Sequence, residues 1–338
     1  MTMSLDLENI RQLLLQLGDE VRDRLVIARS ETASSDFSRI SRESVADTIY
    51  EIDRVSEVAI EAWFAEHWPV DIPAEIVMEG IEPDQPMIVP HGKSLADTVV
   101  KCILDPIDGT RGIMYDKRPA WFLAGVAPQS GAKTRLRDIE VAAMVELPTT
   151  KQWRADRCSA IREQGVHADS VNILTRQTTP LQLRPSRAKT MLHGYGYISR
   201  FFPAGKALLA EIELALWERL YGSESAKEIV IFEDQYISTG GQFYELLAGR
   251  DRMIADLRPL VFRKLGLDLA LCCHPYDIAA MLVLQEAGII LESPDGTPLD
   301  GPLDTTSPIS WVAYANLELA NYIRPVLKTV LEEFLDVG

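Results

Sequence analysis

The chain has 338 residues, 47% of them hydrophobic, with 50 acidic against 34 basic side chains and a formal net charge of −16. That length and apolar content supply a large buried core, and no run nears the roughly 20 consecutive apolar residues of a membrane span. The acidic excess repels phosphate backbones and anionic bilayers, so neither a nucleic-acid polymer nor a membrane is an expected partner.

The opening MTMSLDLENIRQ lacks the basic start and apolar stretch of a secretory leader, and a cytoplasmic location is expected. Ile10, Leu13, Leu14, Leu17, Val21 and Leu25 recur at helical spacing within 7–28, which predicts an amphipathic helix. A second helix is expected after Asp53, with Val55, Val58, Ala59, Ala62 and Trp63 facing inward, before Pro69 and Pro73 break the pattern. From Glu75 the pattern changes to strands, over 75–78, 98–104, 121–127 and 139–147. The polar stretch 151–185 reads as further strands and loops. Beyond it, 191–192 is strand-like, and Pro203 suits the first turn of a helix carrying Leu208, Leu209, Ile212, Leu216 and Leu220. A strand over 229–232, a helix over 241–248 and a strand over 253–257 follow. A helix over 277–287 is closed by Gly288. A strand over 289–292 runs into an Asp295-Gly296 turn, then come a strand over 310–313 and a closing helix over 317–335. The alternation predicts a layered α/β protein in two parts, 1–187 and 188–338.

Chemistry concentrates in Asp105-Pro106-Ile107-Asp108-Gly109-Thr110, directly after the strand over 98–104. Two carboxylates leave a strand end together, Pro106 fixes its own backbone angle, and Gly109 permits a tight turn. A helical turn starting near Thr110 points free N–H groups at the same spot. Hard oxygen donors beside an anion cradle suit magnesium, which takes one or two carboxylates plus water and substrate phosphate. The plainer alternative is a turn in which Asp105 and Asp108 only cap backbone groups. Cys102, Cys158, Cys272 and Cys273 form no CxxC pair, so packed, reduced thiols are expected.

These residues resemble the inositol monophosphatase family, which belongs to the lithium-sensitive, metal-dependent sugar and nucleotide phosphatases. The family signature Asp-Pro-(Ile/Leu)-Asp-Gly-Thr matches 105–110 completely. Its upstream glutamate pair aligns with Glu79 and Gly80, so the first glutamate is kept and the second is not. Its Asp-x-Val-Thr-x-x-Asp segment aligns with 47–53, keeping Asp53 and placing Tyr50 at the threonine. Its Trp-Asp-x-(Ala/Gly)-(Ala/Gly) segment aligns with Tyr276-Asp277-Ile278-Ala279-Ala280, followed by Glu286-Ala287-Gly288. Its Gly-(Ser/Thr)-Ala segment is similar to Ser238-Thr239-Gly240-Gly241. The resemblance runs from about residue 36 to 315.

The resemblance implies a layered α-β-α-β-α sandwich, two or three magnesium ions, a small phosphorylated substrate and a homodimer. Glu79, Asp105 and the Ile107 carbonyl would hold one ion, and Asp105, Asp108 and Asp277 a second. Thr110, bonded to Asp53, would orient or deprotonate a water with Glu79 nearby. The Gly109 and Thr110 amides, with Arg111, Thr239 and Gly240, would bind phosphate and substrate. A basic Arg111, with Lys117 and Arg118, is similar to the bisphosphate nucleotidase and histidinol-phosphatase branches. The glutamate that inositol enzymes use for sugar hydroxyls has no match; Ala270 falls near its place, with Asp268 close by. His274 is either packed or a substrate contact. Gly194-Tyr195-Gly196 is a fragment of a dinucleotide loop without its third glycine, and reads as structural. A non-catalytic binder of metal or phosphate ligands is the expectation from another class.

Overall fold

The computed structural model describes residues 5–31, 40–43, 48–79, 81, 86–222 and 231–335, without side-chain detail for 31, 40–43 and 48–57. Helix α1 (Leu7–Glu31) buries the stripe from Ile10 to Leu25 expected of it. The short antiparallel pair β1 (Ile40–Glu43) and β2 (Thr48–Tyr50) leads into α2 (Glu51–His67). The inner face of α2 differs from expectation. Ala59, Ile60, Trp63 and Phe64 are buried, whereas Val58 is 66% exposed and Ala62 is exposed; Val55 lies outside the described side chains. Each residue turns a helix by about 100°, so the large Ile60 and Phe64 draw the buried stripe around by one position.

Eight strands form one sheet in the order β10-β9-β8-β7-β6-β5-β3-β4. They are β3 (Ala74–Met78), β4 (Met87–Val89), β5 (Val100–Asp108), β6 (Ala120–Pro128), β7 (Val141–Leu147), β8 (Arg154–Ile161), β9 (Val166–Asn172) and β10 (Thr178–Pro180). A single helical turn, α3 (Thr110–Ile113), follows β5. β3 and β5 run parallel and every other pair is antiparallel. Side chains alternate faces along each strand, and both faces are covered. Leu104, Phe122 and Val145 pack under α1 and α2 with Leu14 and Phe64. Ile103, Trp121, Leu123 and Met144 pack the other way. That is why the central strands read as continuous apolar runs.

The second sheet has the order β12-β11-β13-β15-β14. In chain order its neighbourhood is β11 (Gly194–Ile198), α4 (Lys206–Tyr221), β12 (Ile231–Phe232), α5 (Thr239–Leu247), β13 (Asp251–Asp256), α6 (Arg258–Leu265), a 3-10 turn Pro275–Ile278, α7 (Met281–Glu286), β14 (Ile290–Glu292), β15 (Trp311–Tyr314) and α8 (Leu317–Leu335). Helices α5 and α7 lie between the two sheets, with Phe243 and Leu284 in the same core as Trp121 and Ala255. Helices α4, α6 and α8 cover the far side. The layers are therefore α/β/α/β/α. The first sheet ends at Pro180 and the second begins at Gly194, yet one continuous core joins them.

Three local expectations change. Residues 191–192 form no strand; the strand starts at Gly194, so the Gly194-Tyr195-Gly196 fragment is sheet. The 277–287 segment is a 3-10 turn followed by the shorter α7. Helix α6 was not foreseen, because its eight residues begin beside Pro259 and mix charged with apolar side chains.

Ala279 and Ala280 are fully buried, and the Ala279 carbonyl crosses β6 at Gly125. A Cβ on Gly125 would stand 2.6 Å from that oxygen. Neither backbone can retreat without moving a sheet or the turn beside Asp277. Gly125→Ala is expected to lower stability by about 1–3 kcal/mol, the usual cost of overpacking, with the urea midpoint as readout; an unchanged midpoint contradicts the tight crossing.

Candidate active site

The site begins with a defect in β5. Asp105 pairs with Leu123 and Asp108 pairs with Trp121, with a register shift between them. Three residues along one strand thus answer to two on the other, a bulge. Regular alternation would put Asp105 and Asp108 on opposite faces. The extra residue restores them to one face, as Leu123 and Trp121 share one. The strand therefore runs through the acidic motif and does not end before it.

Gly109 then turns the chain with φ of 97°, a left-handed conformation that favours glycine. A Cβ there would also meet the Ser238 Cβ at 2.8 Å. The turn is tied by the Thr110 hydroxyl donating to the Ile107 carbonyl (2.8 Å) and by the Gly112 N–H donating to the Gly109 carbonyl (2.8 Å). The Ile107 N–H donates to Asp105 Oδ1 at 3.0 Å.

Asp108 is held from the other half of the chain. Ser238 caps α5, its Oγ accepting from the Gly241 N–H at 3.0 Å. The same hydroxyl donates to Asp108 Oδ2 at 2.7 Å. The Gly240 N–H donates to Oδ2 at 2.5 Å and the Thr239 N–H to Oδ1 at 3.1 Å. Asp108 thereby sits at the positive end of a nine-residue helix. Asp277 arrives on the 3-10 turn, where its Oδ2 accepts the His274 N–H at 2.6 Å. Ligand atoms of Asp105, Asp108 and Asp277 all lie within 4.8 Å of one another. Glu79, just past β3, lines the same cleft.

These charges oppose one another. Asp105 is 2% exposed; burial, then the charges of Glu79, Asp108 and Asp277, push its carboxyl well above the usual range. Asp108 is 6% exposed and burial pushes it up to about 6, against the pull of Ser238, Gly240, Thr239 and the Arg258 charge. Buried carboxylates this close need a cation or a proton. The donors are hard oxygens only, which fits a magnesium-like divalent ion and does not fit a soft one.

The structure brings Glu79, Asp105, Ile107, Asp108, Gly109, Thr110, Arg111, Thr239 and Asp277 to one cleft. Gly240 is not on its wall, and its amide serves Asp108. The side chains of Tyr50 and Asp53, and Gly80, lie outside the described residues. His274 is 3% exposed and stacks on Tyr276 with ring centroids 5.5 Å apart, so it is packed. Asp268 accepts the Ala270 N–H at 3.0 Å, and neither residue is among those lining the cleft. Arg118 pairs with Asp234 away from the cleft. The wall residues missed in sequence include Ser238, Arg258, Phe201 and Phe202. Only Ser238 carried a signal, as a capping serine before a helix.

No family model and no curated protein matches the chain. Solved structures do match in fold. The extragenic suppressor protein suhB of Bartonella henselae is 16% identical over 95% of this chain and 98% of its own, with a TM-score of 0.64. The fructose-1,6-bisphosphatase of Leishmania major, in holo form, is 11% identical over 98% and 96%, with a TM-score of 0.66. A gene product described as inositol monophosphatase–fructose 1,6-bisphosphatase is 14% identical over 96% and 100%, with a TM-score of 0.62. The chain thus has the fold shared by solved inositol monophosphatase and fructose-1,6-bisphosphatase structures.

Proposed function

We propose that the chain is a magnesium-dependent phosphomonoesterase of the inositol monophosphatase type, acting on a small phosphorylated substrate. One observation carries the reading: the carboxylates of Asp105, Asp108 and Asp277, from both halves, converge within 4.8 Å beside the Gly109–Thr110 turn. The shared fold supports it. Asp105, Asp108, Asp277, Glu79 and the Ile107 carbonyl would hold the ions. Bound divalent cations supply positive charge to the phosphate oxygens and make water easier to deprotonate.

The residues of the chain do the rest. The Gly109 and Thr110 amides orient the phosphate for in-line attack. Glu79 takes the proton of the attacking water, and Thr110 positions it. Water adds to phosphorus, the phosphorus–ester oxygen bond breaks, and the leaving oxygen takes a proton from solvent and departs as an alcohol while Glu79 returns its proton to solvent. Ser238 and the start of α5 keep Asp108 still, so little reorganisation accompanies the reaction. A phosphate-release assay over several monoesters, with magnesium and then with excess chelator, tests the proposal; no release from any ester sinks it.

Asp105→Asn removes one of the crowded charges. The metal-free variant is expected to melt above the metal-free wild type at pH 7.5. Magnesium should no longer raise its melting point, and phosphate release should fall more than about a hundredfold. Calorimetry and the release assay read these separately.

The pH dependence has a definite sign. Asp105 and Asp108 are raised in the fold, so their contribution to metal-free stability is full below the ordinary carboxylate range near 4 and lost as pH rises through about 6 for Asp108. Protons and magnesium compete for the same oxygens. The rise in melting temperature with magnesium should therefore be larger at pH 7.5 than at pH 5.5; a shift independent of pH contradicts ligation by these carboxylates.

A further inference from the structure

Beside its acidic cluster the cleft carries apolar side chains, among them Phe201, Phe202, Ile237 and Leu271. Ile237 and Leu271 are each 37% exposed, and the two phenylalanines are half-buried. A single exposed apolar residue is ordinary, but several bordering one cleft mark a surface that a ligand covers. One buried group holds this wall together. Arg258, 7% exposed, donates from Nε to Asp256 Oδ1 at 2.9 Å, from Nη2 to Asp256 Oδ2 at 2.5 Å and from Nη1 to the Leu271 carbonyl at 2.7 Å. Its guanidinium carbon lies 5.0 Å from the Phe201 ring centre and 5.7 Å from that of Phe202. The same cation thus fixes the Leu271 backbone and backs both rings, while Asp256, 1% exposed, answers its charge. Side chains that could receive hydroxyl groups are scarce. The Thr110 hydroxyl donates to the Ile107 carbonyl and the Ser238 hydroxyl to Asp108. No asparagine, glutamine or histidine is among the described lining residues, and the carboxylates there are Glu79, Asp105, Asp108 and Asp277, those that would hold the ions.

We infer that the leaving group of the substrate is an apolar alcohol, alkyl or aryl, whose body lies against Phe201, Phe202, Ile237 and Leu271. The inference rests on the phosphatase reading and narrows its substrate class. A polyol in this place would turn its hydroxyls toward hydrocarbon and lose their bonds to water. An apolar body covers the same wall with a gain that grows with the area removed from water. Arg111, whose guanidinium carbon is 5.5 Å from the Phe202 ring centre, directly follows the Gly109–Thr110 turn and so stands where the scissile phosphate would bind. If Ile237 and Leu271 served only as structural packing, polar replacement would affect all esters alike.

Hexyl phosphate, benzyl phosphate and glycerol 1-phosphate are all esters of primary alcohols and differ in the polarity of the body behind the same oxygen. Hexyl against benzyl phosphate also distinguishes an alkyl from an aryl leaving group. In the wild-type protein with magnesium, kcat/KM for one of the two apolar esters should exceed that for glycerol 1-phosphate at least about tenfold. Ile237→Ser and Leu271→Ser alter exposed side chains, and circular dichroism checks that the double variant folds; should it misfold, each single variant is read in the same way. The ratio should fall at least about threefold, through a higher KM for the apolar ester. A wild-type ratio below about tenfold, or a smaller fall in the variant, overturns the inference and leaves the phosphatase reading standing. If magnesium gives no release from any ester, the phosphatase reading fails. Calorimetric affinities of the three esters then decide the apolar wall, tighter binding of hexyl or benzyl phosphate supporting it and equal or weaker binding overturning it.

Discussion

Two of the three converging carboxylates are almost fully out of water, and like charges in such a place repel strongly. Asp105 and Asp108 respond by holding their protons well above the ordinary carboxylate range. A fold keeps such an arrangement only where other bonds fasten it. Here the fastening is specific: the bulge in β5 turns both residues to one face, and the Ser238 hydroxyl with the first amides of α5 grips Asp108. Remove the grip, and the cheapest relaxation is for the carboxylates to separate.

The same contacts tie the two halves of the chain together at the cleft. Ser238 approaches so closely that no side chain fits at Gly109, and the Ala279 carbonyl crosses β6 where only Gly125 leaves room. Asp277 is carried on the turn before that crossing, so its position is set by the packing of the sheet against the middle helices. The acidic centre is therefore a property of the interlayer core as much as of the loops that line it. Small residues after Asp277 matter for this close approach, independently of any chemistry.

Charge is distributed unevenly within the cleft. On one side lie the crowded carboxylates; on the other, Arg258 is locked against Asp256 and the paired phenylalanines, with Arg111 over the same Phe202 ring. A buried cation with fixed hydrogen bonds loses little entropy when an anion arrives.

Many elements were legible in sequence, because periodicity records burial directly: the α1 stripe, the apolar central strands and the closing helix α8 lie where the pattern puts them, while the order of the layers came from the family resemblance. Asp105 and Asp108 stood out as a short acidic turn and Asp277 only through the family resemblance around it, and the structure brings the three carboxylates together. What the sequence could not determine is every relation between distant segments. Which face of α2 turns inward was decided by the bulk of Ile60 and Phe64 against the sheet. The grip of Ser238 on Asp108 joins residues 130 positions apart, and Arg258 reaches the cleft only because the unforeseen α6 begins where β13 ends. Local pattern encodes which residues avoid water, whereas a site requires particular side chains to meet, and that meeting is set by how layers stack.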